Sequence, residues 1–337
     1  MRRFTALCVS LSLAGPLAAD PVGEAVTRAV DRHATPAIET FAAAAEGLAE
    51  VAAQDCRAEA VKPAYHSAFD AWIPVQQLHL GPIEKDGRIL AMSFWPDKKG
   101  LTQRTLAAIV ADEDPVVDDP AEFAHASIAV RGFFALEMML YDDRFAGYGA
   151  EEYACRLVRA ITGDMARMAG EIDAEWTGED GFADTLKQAG EAAQVLYLTP
   201  TESLQALYTQ LTAALEFDRD QRIARPLGSF ERPRPERAEA RRSARSRRNL
   251  VLSLEAARDL ARSLAPAEIP AIEAGFEDAI GLARDLETQD FSDVEDPTQR
   301  LELEIVGQRI QTIQGAIANE IGAPLGISAG FNAGDGD

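Results

Sequence analysis

Between Val26 and Gln54 the apolar residues Ile38, Phe41, Ala45, Leu48 and Val51 recur every three or four positions, the spacing of one face of an α-helix. Pro36 falls inside this run and is expected to kink it. A second periodic stretch runs from Ala58 to Leu80, with Pro63 near its start and Pro74 towards its end. Gly81 to Gly100 reads as a loop, and Leu101 to Ala111 as a short helix. Asp119-Pro120 opens a helix expected to run to about Tyr141, and Glu151 to Trp176 forms the next. The stretch TGEDGFAD then breaks the pattern. Beyond it, Phe182 to Leu198 with Thr201 to Arg222, Glu236 to Leu264, Pro266 to about Thr288, and Pro297 to Ile321 repeat the plan. Alternating β-branched runs are few, and an Asn-Gly hairpin turn is missing. The pattern therefore predicts an all-α protein of two four-helix-bundle-like domains, an N-terminal bundle over 20–177 and a C-terminal bundle over 178–337, with a single large helical domain as the alternative.

The first nineteen residues stand apart. Arg2 and Arg3 precede an apolar run from Phe4 to Leu17, and Ala18-Ala19 supplies small residues. That is the layout of a secretory signal peptide over 1–19, cleaved near Ala19. The chain is expected to be exported to the periplasm and not to span the membrane, because no stretch approaches 18 uninterrupted apolar residues. The net charge is −22, and loss of Arg2 and Arg3 makes it −24. A field of that sign opposes binding to nucleic acid or to an anionic membrane. Cleavage would leave two cysteines, Cys56 and Cys155, in an oxidising compartment. In an up-down bundle, Cys56 in the first connection and Cys155 at the start of the fourth helix lie at the same end, so they form a candidate disulfide.

HExxH, GxSxG, Walker, GxGxxG and CxxC motifs are all missing from the sequence, so it names no standard hydrolase, nucleotide or thiol-redox site. His66 and Asp70 are spaced four apart and could share a helical face towards a metal, or be a boundary histidine with a local carboxylate. His79 precedes a Gly-Pro loop, and His125 is isolated. Glu137 is the lone carboxylate in FFALEMMLY. It must either face solvent or find a cation, metal or polar partner, since an unpaired buried charge costs several kcal/mol. From Arg219 to Arg248 there are eleven arginines and four acidic residues, a local excess of positive charge in an acidic protein. Arg241, Arg245 and Arg248 recur at helical spacing, with Arg242, Ser243 and Ser246 on other faces. Such a run is either a solvated face or a carboxylate- or phosphate-recognising one. The tail from Leu325 to Asp337 is glycine-rich and ends Asp-Gly-Asp, which reads as frayed or as a weak donor set for a hard cation.

Several elements in order carry a resemblance. They are the signal peptide, Phe69-Asp70-Ala71-Trp72 with Leu80-Gly81-Pro82, and Phe94-Trp95-Pro96. Gly132-Phe133-Phe134-Ala135-Leu136-Glu137, the Ala238 to Ser246 run AEARRSARS, and Gly330-Phe331-Asn332 through Asp337 follow. Together they resemble the imelysin-like family of exported bacterial proteins. The resemblance implies two helical-bundle domains, a cell-envelope location and a link to iron acquisition, and some members are classed as metallopeptidases. The family marker GxHxxE sets a His and a Glu on successive turns as candidate metal ligands. Here Gly132 and Glu137 match it, but Phe134 stands at the His position, and a phenyl ring cannot coordinate. The implied reading is a periplasmic binding or accessory protein in iron or heme uptake. Its site would lie between the bundles, lined by Glu137, Trp95, Arg242, Ser243 and Ser246, and its partners would be envelope iron-transport components. Glu137 is the only metal candidate the motif retains. An imelysin-type metallopeptidase and a structural envelope protein that has lost its metal site are the alternatives.

Overall fold

The computed structural model describes residues 20–328. The expected signal peptide and the tail beyond Ser328 lie outside the described residues. The helices are α1 (Pro21–Ala29), α2 (Thr35–Gln54), α3 (Ala58–Gln76), α4 (Arg88–Met92), α5 (Leu101–Asp112), α6 (Pro120–Phe123), α7 (Gly132–Tyr141) and α8 (Tyr153–Thr177). They continue with α9 (Phe182–Lys187), α10 (Pro200–Phe217), α11 (Ala224–Leu227), α12 (Ser246–Leu264), α13 (Pro270–Asp285), α14 (Pro297–Ile317) and α15 (Ala323–Leu325). Among the described residues there is no strand, only an isolated bridge between Ser229 and Arg232.

Helix starts are written in the sequence as an acceptor followed by proline. Asp20, Thr199 and Asp296 each accept a backbone N–H of the first turn, and each precedes a proline at the first helical position. The side-chain oxygen satisfies a donor with no intrahelical partner, and proline has no N–H to waste there. The Pro36 distortion takes the form of a π-helical segment, Val30–Ala34, joining α1 to α2. Two further π segments, Asp218–Ile223 and Ala318–Gly322, follow α10 and α14.

Helices α2, α3, α7 and α8 pack in a closed ring, each against two of the others; α10, α12, α13 and α14 form a second. The rings meet where α3 packs on α12, and α1 leans across to pack on α10 and α12. The first ring is filled by aromatic rings: Phe69 stacks on Phe133 at 4.3 Å, and Trp72 lies 4.9 Å from Phe41. All four are fully buried, each removing roughly 150–250 Å² from water. Cys56, between α2 and α3, is joined to Cys155 in the first turn of α8, with Cα atoms 5.3 Å apart.

Four expected elements differ. The stretch 81–100 is not all loop, because it contains two 3₁₀ turns and α4. The helix expected from Pro120 to Tyr141 is broken into α6, a 3₁₀ turn at Ile128–Val130 and α7. Gly132 causes the last break: its φ is +69°, and a Cβ there would collide with the carbonyl oxygens of Ala91 and Met92. After Lys187 the chain is irregular until Pro200, so the helix expected over 182–198 is mostly absent. Finally, Ala238 to Arg245 is a compact series of turns in which Ala240 and Ala244 have positive φ. The expected helical face of Arg241, Arg245 and Arg248 does not exist.

Candidate functional site at the seam between the helical rings

Glu137 projects from the middle of α7 and is 2% exposed. Its Oε1 accepts hydrogen bonds from the Ser243 backbone N–H at 2.9 Å and from the Ser243 hydroxyl at 2.7 Å. Burial pushes its carboxyl pKa up; the two Ser243 donors and the charges of Arg242 and Arg241 pull it back. Glu137 and the Arg242–Ser243 segment therefore meet across the seam. Ala240 and Ala244, on either side of this segment, have positive φ, and the Ser243 N–H bonds Glu137 instead of joining a helical ladder. The hydroxyl of Tyr65 lies 3.5 Å from the Ser243 Oγ.

Around this contact the seam is ionic. Arg245, with no exposed surface, bonds Asp70 at 2.5 Å, Asn249 at 3.1 Å and the His66 Nδ1 at 2.9 Å, and its guanidinium lies 4.8 Å from the Phe69 ring centre. Arg248 also grips Asp70, and Tyr141 bonds the other His66 nitrogen at 2.7 Å. The His66–Asp70 pair thus points into an arginine cluster rather than at a metal. Burial and the charge of Arg245 lower the His66 pKa. His79 is exposed beside Glu84, and His125 is exposed.

A second buried network escaped the sequence reading. Arg222 bonds Asp218 at 2.6 Å, Glu239 at 2.7 Å, Ser253 at 2.9 Å and Gln76 of the other ring at 3.1 Å. Gln77 reaches the Ser253 Oγ at 2.7 Å. Burial raises Asp218 to about 6 despite Arg222. The only local signal was the four-residue spacing of Asp218 and Arg222; Glu239 and Gln76 are distant in sequence. Ser246, expected to line the site, instead turns its hydroxyl to the Glu239 carbonyl at 2.6 Å and is 1% exposed. It braces the turn rather than facing a ligand.

Phe134, at the position of the motif histidine, packs between Trp95 at 6.3 Å and Phe69 at 5.8 Å. Trp95 is half-buried; Phe217 meets it edge-on at 5.9 Å, and the Arg225 guanidinium lies 5.7 Å from its ring centre. Arg242 is partly exposed and bonds Asp142 at 3.0 Å. Burial drives the pKa of Asp142 up, but the stronger pull of Arg144, aided by Arg242, holds it well below the usual carboxylate range. An open groove of about 510 Å³ lies elsewhere, lined by Arg28, Arg262, Pro266 and Glu273. It sits at the far end of α12, about 27 Å along that helix at 1.5 Å per residue. Its arginines are already engaged, Arg28 by the Ser263 and Ala265 carbonyls and Arg262 by Glu273.

Paired four-helix rings with a buried ionic and aromatic seam define an all-α class of two-bundle proteins. The family model described as Imelysin, a peptidase family (M75), matches residues 27–317, and the chain belongs to that family. Two solved structures share its fold. One is an imelysin-like protein from Psychrobacter arcticum 273-4, with 17% identity, a TM-score of 0.76, and coverage of 94% of this chain and 98% of that one. The other is named as a candidate iron-regulated protein A precursor from Parabacteroides distasonis ATCC 8503, with 13% identity, a TM-score of 0.69, and coverage of 92% and 97%. No functionally curated protein matched. No helix among the described residues is long and apolar enough to cross a membrane.

The metal that the family motif implies does not fit the residues present. Phe134 offers no donor and is wedged between aromatic rings, while the Glu137 Oε1 is engaged by Ser243. Among the described residues no three His, Cys, Asp or Glu side chains converge on one point. A water-activating metal normally keeps three protein ligands.

Proposed function

We propose that this imelysin-family chain is an exported periplasmic protein that binds a ligand of iron or heme uptake at the seam between its two helical rings, rather than a peptidase. The reading rests chiefly on the replacement of the motif histidine by Phe134. The site keeps its glycine and glutamate but exchanges a metal donor for an aromatic wall of Phe134 and Trp95 beneath arginines. Flat apolar faces with a few fixed charges are how proteins hold small organic ligands. The iron connection is supported by the name of the Parabacteroides neighbour and by the family resemblance; export is supported by the basic and apolar N-terminus. Trp95 and Arg242 are the ligand-facing residues in this reading, while Glu137 and Ser243 fix the turn that presents Arg242.

The test is a hemin titration of the mature protein followed at the Soret band, in the wild type and in Trp95→Leu. The expected result is a saturable shift at one heme per chain, lost in the variant. No shift in the wild type, together with chelator-sensitive cleavage of a peptide, would overturn the proposal in favour of the metallopeptidase. No shift and no cleavage would favour a structural envelope protein.

A further inference from the structure

The Arg222 network sets two carboxylates on one guanidinium. Arg222 bonds Asp218 at 2.6 Å and Glu239 at 2.7 Å, and all three side chains are 3% exposed or less. With both carboxylates ionised, the group holds an unbalanced negative charge away from water, which is costly. The Asp218 Oδ2 is also buried with no hydrogen-bond partner. Among the described residues neither carboxylate pairs with a second cation. Arg219 pairs with Asp220 and reaches Gln314 of α14, and Glu216 of α10 acts on Arg219. Arg300 of α14 holds Glu304 and the Leu227 carbonyl, and Arg225 of α11 lies over the Trp95 ring. The side chains that α12 and α3 turn to the group are neutral: Asn249, Ser253, Gln76 and Gln77.

Both ligand-facing residues of the seam hang from this group. Arg222 crosses to the Gln76 Oε1 at 3.1 Å, and the Gln76 Nε2 donates to the Ser93 Oγ at 3.3 Å. The Ser93 carbonyl accepts the Trp95 N–H at 2.8 Å. The Arg222 guanidinium also lies 4.8 Å from the ring centre of Phe217, which meets Trp95 edge-on. Glu239, held by Arg222 and the Asn249 Nδ2, belongs to the turn that carries Arg242 and Ser243. Gln77 closes the same contact from α3, donating to the Ser253 carbonyl and hydroxyl at 2.7 Å.

We propose that Asp218, Arg222 and Glu239 form a proton-operated latch: a proton on Asp218 balances the buried group and holds the two rings closed around Trp95 and the 238–245 turn, and its loss leaves an excess carboxylate that the seam relieves by opening to water. This deepens the ligand-site reading, on which it rests, by naming what regulates that site. The sign follows from linkage. Burial raises Asp218 to about 6, against the pull of Arg222, and opening returns it towards 3.8. The closed seam therefore binds the proton more tightly, and opening is favoured as pH rises through about 6.

The test uses the mature protein without ligand, labelled with 5-fluorotryptophan, over pH 5 to 7.5. The chain has three tryptophans, and Trp95→Phe assigns the Trp95 fluorine resonance. That resonance should titrate with a midpoint near pH 6, while that of Trp176, bonded to Thr35, stays fixed. Amide exchange of the segment holding Gln76 and Gln77, corrected for intrinsic rates, should be about tenfold faster at pH 7.5 than at pH 5. Asp218→Asn, neutral at every pH, should abolish both changes. Glu239→Gln leaves Arg222 one carboxylate and should move the midpoint towards acid by about one pH unit, a tenfold change in proton affinity. A Trp95 resonance that does not titrate in the wild type, or that titrates alike in Asp218→Asn, would overturn the latch. So would a resonance that titrates with no change in exchange, since the charge would then be sensed without opening. If Asp218→Asn does not fold by circular dichroism, the Glu239→Gln midpoint decides, and an unmoved one overturns the proposal. Neither readout contains heme, so a failed heme titration leaves the latch standing, and a failed latch leaves the heme reading standing.

Discussion

Replacing Ser243 by alanine isolates the contact on which the seam turns. The wild-type Glu137 carboxylate has two donors, both from Ser243, at 2.7 and 2.9 Å. Ser243→Ala keeps the backbone N–H and deletes the hydroxyl. A hydrogen bond to a charged group contributes about 1.5–3 kcal/mol, and Glu137 at 2% exposure has little water to replace it. The expected loss at pH 7 is about 2 kcal/mol. Glu137→Gln removes the charge from the same bond, so the two changes should not add; a double-mutant cycle should give a coupling of about 1–2 kcal/mol. The assay is urea unfolding followed by both circular dichroism and tryptophan fluorescence, whose coincidence checks that one transition is being measured. Ser243 lowers the Glu137 pKa, so losing its hydroxyl raises it further, and the penalty should shrink as acid protonates Glu137. A coupling below about 0.5 kcal/mol, or a penalty independent of pH, would mean that the carboxylate is not committed to Ser243.

Gly132→Ala forces a side chain into left-handed backbone and against the Ala91 and Met92 carbonyls; urea unfolding should show a loss of more than about 3 kcal/mol, and one under about 1 kcal/mol would refute the steric account. Two buried groups should oppose each other in acid. Burial pushes His33 down to about 4 from 6.5, with Asp259 opposing, so between those values the unfolded chain takes a proton the folded chain refuses, and stability falls on acidification. Burial holds Asp218 up at about 6 from 3.8, beside Arg222 and Glu239, so the folded chain keeps a proton the unfolded chain releases, and stability rises on acidification through that window. Melting temperatures from pH 7 to pH 4 should therefore make Asp218→Asn more acid-sensitive than the wild type and His33→Gln less so; the opposite order would refute these assignments.

The helices were largely legible because their information is local: apolar spacing marks the buried face, and Pro297 marks the start of the last long helix, whereas the acceptor-proline pair at Asp20-Pro21 starts the first helix five residues before the apolar spacing expected at Val26. Glu137 was legible as a group that had to find a partner or face solvent. The turns of 238–245 were not. Alanine and arginine favour helix there, and the forces that override them come from afar. Glu239 is held by Arg222 and Asn249, and the Ser243 N–H by a carboxylate 106 positions away. The Arg245–Asp70 pair spans 175 positions, so periodicity placed Arg245 on a face that the fold does not contain.

The claim that separates this chain from a metal enzyme is that its Gly132–Glu137 motif is a packing and turn-presenting element rather than a metal centre. Equilibrium dialysis of the mature protein against Zn²⁺ and against Fe³⁺, with bound metal counted by elemental analysis in the wild type and in Glu137→Gln, tests it most directly. The account predicts the same metal content in both proteins. One equivalent of metal in the wild type that disappears with Glu137→Gln would contradict it.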